Sequence, residues 1–195
     1  SSLDLLKYAD CEVCPIYHAN RRNPVHGFGN PEAKLAFVGM APSFMELSLG
    51  KPFVGPSGEL LDKTLVSCGT SREEVWTTNI LLCEPLEGTT PSPAEASACR
   101  PRLLAELANL KARNLNTVVT LGVEPAKDLL DNPYPFNEIE GWLHHDESLD
   151  LSVISTFHPA NVLHGGVDSF RDIKESIQLA VRSAQEGPPV HRQPR

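Results

Sequence analysis

Leu35-Ala36-Phe37-Val38-Gly39-Met40-Ala41-Pro42-Ser43-Phe44-Met45-Glu46, followed by Gly50-Lys51-Pro52-Phe53-Val54-Gly55-Pro56-Ser57-Gly58, is the stretch whose reading decides the fold. It begins as an apolar run and passes through a loop punctuated by Gly39, Gly50, Gly55 and Gly58. It then enters an amphipathic segment, Glu59-Leu60-Leu61-Asp62-Lys63-Thr64-Leu65-Val66. Strand, glycine-rich loop and helix in that order are the layout of a ligand site at the carboxyl end of a strand in an open α/β sheet. Glycines let the backbone approach a ligand, and prolines restrict the loop so that less order has to be imposed on binding.

The same alternation continues outward from this stretch. Residues 3–9 read as a short helix, followed by a polar loop over 18–31. A helix over 58–68 closes at Gly69, and Ser71-Arg72-Glu73-Glu74 resembles a capping box. Residues 75–82 are β-branched and apolar, a buried strand. A long helix over 93–114 carries Leu103, Leu104, Leu107 and Leu110 on one face. A third strand spans 117–121, a helix 124–130, a turn 132–135 and an extended segment 141–145. The fourth strand, 151–157, delivers His158-Pro159, and the last helix runs over 170–184. Strands alternating with helices predict an α/β fold with a parallel sheet covered on both faces. Residues 1–186 read as one domain with an N-terminal arm, and the Pro-rich residues 187–195 as a flexible tail. Gly39–Gly55, Asn79 and His158 all follow or end strands, so they converge on one edge of the sheet.

Composition bounds the function. The chain has 195 residues, 41% hydrophobic and 22% charged, with a formal net charge of -8. That is ordinary for a globular domain, and the negative balance argues mildly against a broad phosphate-binding surface while leaving room for a local basic patch. No apolar run approaches the roughly 20 residues that span a bilayer. No basic segment followed by an apolar one opens the chain, so the expectation is a cytoplasmic protein with no membrane association.

Five cysteines are present. Cys11 and Cys14 form a CxxC pair in a polar arm that has no core for them to fill. Cys83 follows a strand, and Cys99 sits in the first turns of the long helix. A CxxC pair joined by two thiols from distant segments would bind one ion or cluster and tie the arm to the body. Zinc and an iron–sulfur cluster both accept four cysteines, with one pair plus two single residues leaning toward iron–sulfur. Cys68 lies on the apolar face of a helix and reads as a buried free thiol.

Taken together, these residues resemble the uracil-DNA glycosylase superfamily. The resemblance runs from about Cys11 to Leu163 and is strongest to its iron–sulfur branch, the family 4 enzymes. It is carried by Val25 through Gly39, the loop to Gly58, Thr78-Asn79 ahead of Cys83, and His158-Pro159. The family's first motif reads G-E-A-P-G-x-x-E-D and then G-x-P-F-V-G. Gly39, Ala41, Pro42, Glu46, Gly50, Pro52, Phe53, Val54 and Gly55 match it. Met40 replaces the first Glu, which is closer to the family 5 pattern, while Ser43 replaces the second Gly and Leu47 the Asp. The closing motif, H-P-S-x-L-L-R, matches at His158, Pro159 and Leu163, with Ala160, Val162 and His164 as departures.

The resemblance implies a three-layer α/β/α sandwich with a four-stranded parallel central sheet. It implies a mainly structural [4Fe-4S] cluster on Cys11, Cys14, Cys83 and Cys99, and a monomer acting on uracil-containing DNA. A glycosylase extrudes the nucleotide from the duplex into a pocket and reads its Watson–Crick edge. Phe53 would stack on the base. Asn79 would pair with its edge through one amide donor and one acceptor. Gly39, Met40 and neighbouring backbone amides would line the site, and His158 would stabilise negative charge on O2 of the departing base. Met40 cannot activate water, because a thioether neither accepts strongly nor carries a proton. Glu46 is then the first candidate acid and Ser43 the second. Arg21, Arg22, Lys51, Arg100 and Arg102 would meet DNA phosphates, with Val162 or Leu163 as an apolar wedge. Rival readings remain open: a catalytically weak or inactive DNA- or base-binding protein that has lost the chemistry with Met40, a glycosylase of shifted base specificity, and a small nucleotide- or base-handling enzyme on the same sheet.

Overall fold

The computed structural model describes residues 5–130 and 134–195. Four parallel strands form its centre, in the order β3 (Trp76–Asn79), β2 (Leu35–Gly39), β4 (Thr117–Leu121) and β6 (Leu151–Thr156). Every residue of these strands except Trp76 is buried. That explains why they read as unbroken apolar or β-branched runs and not as alternating ones.

The expected four-stranded sheet is wider than the sequence suggested. Three short antiparallel strands extend it to seven: β1 (Phe28–Gly29) beside β3, β5 (Trp142–Asp146) beside β6, and β7 (Gln193–Pro194) beside β5. Each pairs part of an otherwise open strand edge. Pieces of two residues carry no periodicity, so β1 and β7 leave no sequence signal.

β7 also departs from the expectation of a flexible tail over 187–195. Gln193 and Pro194 pair with Leu143 and Trp142, Arg195 forms ion pairs with Glu140 and Asp172, and the Arg192 guanidinium lies 4.0 Å over the Trp142 ring. Polar residues at a terminus suggest solvation, but here their partners lie on the far edge of the sheet.

Helices cover both faces. α3 (Pro56–Ser67) and α8 (Val167–Glu186) pack Leu61, Leu65, Ile173 and Ile177 onto Leu35, Phe37, Val119 and Ile154. α4 (Pro93–Arg113) and α5 (Val123–Leu129) pack Leu103, Leu107, Leu110 and Leu129 onto Ala36, Val38 and Val118. Alternate residues of one strand thus enter opposite cores, giving the α/β/α sandwich. α4 begins in a full capping box: the Ser92 hydroxyl accepts from the Glu95 amide, and the Glu95 carboxylate accepts from the Ser92 amide.

Shorter elements complete the chain. A 3-10 turn, Leu5–Tyr8, stands where a helix over 3–9 was expected, and residues 3 and 4 lie outside the described residues. Residues 132 and 133 of the expected turn at 132–135 also lie outside them. α1 (Pro15–His18) interrupts the polar segment, α2 (Phe44–Leu49) folds inside the glycine-rich stretch, and α6 (Phe136–Ile139) and α7 (Ala160–Leu163) flank the sheet's carboxyl edge. Ser71–Glu74 forms a turn in place of the expected cap. A third cluster, Leu6, Ile16, Leu81 and Leu82 with Cys14, Cys83 and Cys99, anchors the N-terminal arm.

Candidate active site

Strand register assembles the first part of the site. Gly39 at the end of β2 pairs with Asn79 at the end of β3. A side-chain carbon at Gly39 would stand 2.3 Å from the Phe53 ring and 2.5 Å from the Asn79 carboxamide oxygen. Both groups therefore converge over a backbone that only glycine supplies. Asn79 is buried, so its carboxamide is held in a desolvated setting.

Phe53 is positioned at some conformational cost. Its φ is +53°, a left-handed value that side chains other than Gly, Asn and Asp seldom adopt. Two contacts hold it there. Arg72 donates from Nη1 and Nη2 to the Phe53 carbonyl at 3.0 Å each and from Nη2 to the Pro52 carbonyl at 2.7 Å. The same carbonyl packs so closely on Gly58 that a Cβ there would lie 1.8 Å from it. The Arg72 guanidinium also sits 5.8 Å over the Phe53 ring and pairs with Asp62. Arg72 went unnoticed in the sequence because its partners are backbone carbonyls 19 and 20 residues away.

His158 follows β6 and reaches the same place. Its ring stacks on Phe53 with centroids 6.4 Å apart and planes 23° apart. The Ala160 amide donates to Nδ1 at 3.0 Å, so Nδ1 is unprotonated and the neutral ring carries its proton on Nε2. Burial lowers the His158 pKa, while the Glu46 charge opposes that shift. The result is a neutral N–H donor on Nε2.

Ser43 and Glu46 are brought together as a capping box at the start of α2. The Ser43 amide donates to Glu46 Oε2 at 3.2 Å, and the Ser43 hydroxyl donates to the same oxygen. Glu46 is half-buried and its charge is felt at His158. α2 turns Phe44, Met45 and Leu49 outward, with Phe44 78% exposed. Met40 lines an adjoining pocket with Gly122, Glu124, Phe157, His158 and Asn161. Glu124, in the first turn of α5, is thus an acid in the lining of the same pocket as Met40. No residue pattern near it marks the role.

The cysteine pattern assembles separately. Ile80 and Leu81 amides donate to the Gly39 and Met40 carbonyls at 2.9 and 3.1 Å, carrying the chain from Asn79 toward Cys83. The arm docks on α4 through the Asp10 amide and Ala98 carbonyl at 2.8 Å, and the Cys14 amide closes a turn onto the Cys11 carbonyl. Cys11, Cys14, Cys83 and Cys99 all line one small pocket with Leu6, Tyr17 and Arg22. Burial pushes the Cys83 thiol up to about 11, with Cys99 and Cys11 adding to the rise. Among the described residues, no three His, Cys, Asp or Glu side chains converge on a site for a single ion. Cys68 stands apart, half-buried against the α3–α8 core, its thiol pushed up by burial.

Two cations assigned to DNA contact belong elsewhere. Arg102 is 0% exposed, with its guanidinium bonded inside the fold. Arg100 is half-buried and donates from Nε to the Asp128 carbonyl at 2.8 Å. Both lie on α4, whose cationic positions looked solvent-facing until the helix packed. Arg21 and Lys51 are exposed, one 3.7 Å from Glu84 and the other over the Phe28 ring. Arg22 is exposed at the thiol pocket. Leu163 is 48% exposed on α7, whereas Val162 packs against the core.

Comparison with known proteins supplies the family. A model of the uracil DNA glycosylase superfamily matches residues 26–178. A type-4 uracil-DNA glycosylase of Thermotoga maritima is 35% identical over 176 residues, covering 87% of each chain. The enzyme of that name from Pyrobaculum aerophilum is 32% identical over 160 residues, 79% of this chain and 80% of its own. One from Archaeoglobus fulgidus is 35% identical over 160 residues, 79% of this chain and 78% of its own. A crystal structure of Pedobacter heparinus SMUG2 superposes with a TM-score of 0.56 at 11% identity, over 80% of this chain and 77% of that one, a likeness of fold alone. With a family model spanning most of its length and relatives at this identity, the chain belongs to the uracil DNA glycosylase superfamily.

Proposed function

We propose that this chain is a uracil-DNA glycosylase, a hydrolase that cleaves the N-glycosidic bond of a flipped-out deoxyuridine and leaves an abasic site. The observation that carries the reading is the convergence of the Phe53 ring and the Asn79 carboxamide over Gly39, with the neutral His158 alongside. Phe53 offers a stacking face to the extruded base. The Asn79 carboxamide supplies one donor and one acceptor to its edge. As the bond breaks, negative charge gathers on O2 of the base, and the Nε2 proton of His158 stabilises it without being transferred. Gly39 and Met40 complete the wall through their backbone.

Water activation falls to an acid other than residue 40. Glu46 is the first candidate, held by Ser43 and within electrostatic reach of His158. Oε2 of Glu46 accepts both Ser43 bonds, which leaves Oε1 as the oxygen able to orient water. Arg21, Arg22 and Lys51 would meet DNA phosphates, and Leu163 would fill the gap left by the flipped nucleotide. The protein would act as a monomer in the cytoplasm.

Cys11, Cys14, Cys83 and Cys99 fit a [4Fe-4S] cluster. Four thiols lining one pocket supply the sulfur donors that such a cluster takes, and one CxxC pair with two single cysteines leans toward it over zinc. Bound there, such a cluster would cross-link the N-terminal arm to β3 and α4 and keep all four sulfurs deprotonated.

A uracil-containing oligonucleotide, incubated with the protein and then cleaved at abasic sites, tests the activity. Strand scission at the uracil position is expected. A folded, cluster-loaded protein that binds the oligonucleotide and leaves it intact overturns the reading. That outcome favours the rival, a binding protein disabled by Met40. Absorption of a brown protein near about 400 nm, the expectation for thiolate-bound iron, tests the cofactor, and a colourless protein holding zinc overturns it.

A further inference from the structure

The Arg102 guanidinium is fully enclosed one turn after Cys99 on α4. Nη1 donates to Glu106 Oε1 at 2.6 Å and to the Thr78 hydroxyl at 3.4 Å. Nη2 donates to the Asn79 carbonyl at 2.8 Å, the Ile80 carbonyl at 2.9 Å and Cys99 Sγ at 3.7 Å. Glu106 is itself fixed by the Trp76 indole at 2.8 Å and the Thr78 hydroxyl at 3.1 Å. One planar group therefore touches a thiol of the cysteine pocket and the peptide of Asn79.

A simple core ion pair does not need this arrangement. A buried pair adds little net stability over apolar residues of the same volume, and Glu106 alone would neutralise Arg102. Nη2 instead faces away from Glu106, toward the point where the chain leaves β3. That point lies between Asn79, which would read the base, and Cys83, which would bind the cluster. The guanidinium fork is rigid, so a shift at one of its partners is passed to the others. An N–H donated to a thiolate is also stronger than one donated to a thiol.

We propose that Arg102 is a positioning residue that couples the sulfur of Cys99 to the base-reading Asn79, so that the state of the cysteine pocket sets the placement of the Asn79 carboxamide. This rests on reading Cys99 as a cluster ligand and Asn79 as the base reader.

The test uses the cluster-loaded protein with Arg102→Lys, which keeps the charge beside Glu106 and loses the fork. KM for a uracil-containing oligonucleotide is expected to rise about tenfold, the worth of one charge-assisted hydrogen bond, with kcat within about twofold. The cluster's reduction potential is expected to fall, because donation to a ligating sulfur favours the reduced, more negative form. Full cluster absorption with unchanged KM and potential overturns the inference, as does a loss of thermal stability alone. Should Arg102→Lys fail to fold, the double variant Arg102→Met with Glu106→Leu replaces the pair by apolar groups and is read the same way. A wild-type protein that excises no uracil defeats the functional reading, and Kd for the same oligonucleotide, compared between wild type and Arg102→Lys alongside the potential, then decides the coupling. A wild-type protein that binds no cluster overturns the coupling together with the cofactor.

Discussion

Arg72 holds Phe53 by its backbone and by its ring. Three hydrogen bonds reach the Pro52 and Phe53 carbonyls, and the guanidinium covers the ring at 5.8 Å. A left-handed φ on a bulky residue costs on the order of 1–3 kcal/mol, so it persists only where its surroundings enforce it. Arg72→Ala is expected to release the loop and lower kcat/KM for uracil excision by about 10- to 100-fold, the range for lost charge-assisted bonds. Circular dichroism is expected to stay native. Excision at the wild-type rate would show that Phe53 holds its place without Arg72.

Gly39→Ala tests the floor of the pocket. A methyl at this position meets the Phe53 ring at 2.3 Å and the Asn79 oxygen at 2.5 Å. One of the two must move, and β2 around the position is fully buried and rigid. Excision is expected to drop below about 1% of wild type, in line with the 10²-fold losses that misplacement of about 1 Å brings. DNA binding measured by fluorescence anisotropy is expected to stay within about threefold, since phosphate contacts set most of that affinity.

Glu46 caps α2, and the water-orienting role proposed for it can be separated from that by substitution. Glu46→Gln keeps acceptors for the Ser43 amide and hydroxyl but removes the charge, whereas Glu46→Ala removes both. If the carboxylate orients water, both variants lose excision by about 10²- to 10⁴-fold, the span for a general base, with DNA binding little altered. If it only caps α2, Glu46→Gln excises normally and Glu46→Ala loses stability by about 1 kcal/mol. In that second case Glu124, the acid that lines the pocket beside His158 and Met40, becomes the group to replace.

His158 is expected to set the acid limb of the pH profile. Its folded pKa lies below the ordinary 6.5, chiefly through burial. At pH values between the lowered value and 6.5 the unfolded chain binds more protons than the native one, so stability grows as pH rises through that window and is fully present above it. Protonation of Nδ1 also breaks the bond from the Ala160 amide. Excision is therefore expected to be flat near pH 7 and to fall only well below pH 6.5. In His158→Asn this acid limb should vanish along with most of the rate. A limb centred at or above 6.5 in the wild-type protein would contradict the buried, neutral ring.

How far the sequence reaches can be judged residue by residue. The four parallel strands were legible because burial on both faces demands continuous apolar runs, and β4 falls on the residues expected. The shared location of Asn79 and His158 was legible because parallel strands bring their carboxyl ends to one edge, and the roles proposed for them rest on that placement. The four cysteines were legible as a set from their spacing and they meet in one pocket, but the arm was not the coreless polar segment expected: Cys14 is buried with Leu6 and Ile16 in a small apolar cluster that also takes Cys83 and Cys99. Membership of the family was equally open to reading, since it rests on motifs contiguous in the chain.

Other features depended on contacts between distant segments. Arg102 and Arg100 read as surface cations until α4 packed against β3 and the segment after it. Arg72 looked like part of a cap until its guanidinium reached carbonyls in the glycine-rich stretch. Arg192 and Arg195 looked like a solvated tail until β7 joined β5. Hydrophobic periodicity records which face of an element is buried, and it therefore specifies strands, helices and their order. The partner of a charged side chain is chosen by which segments the fold brings within about 3 Å of it. That choice belongs to tertiary structure.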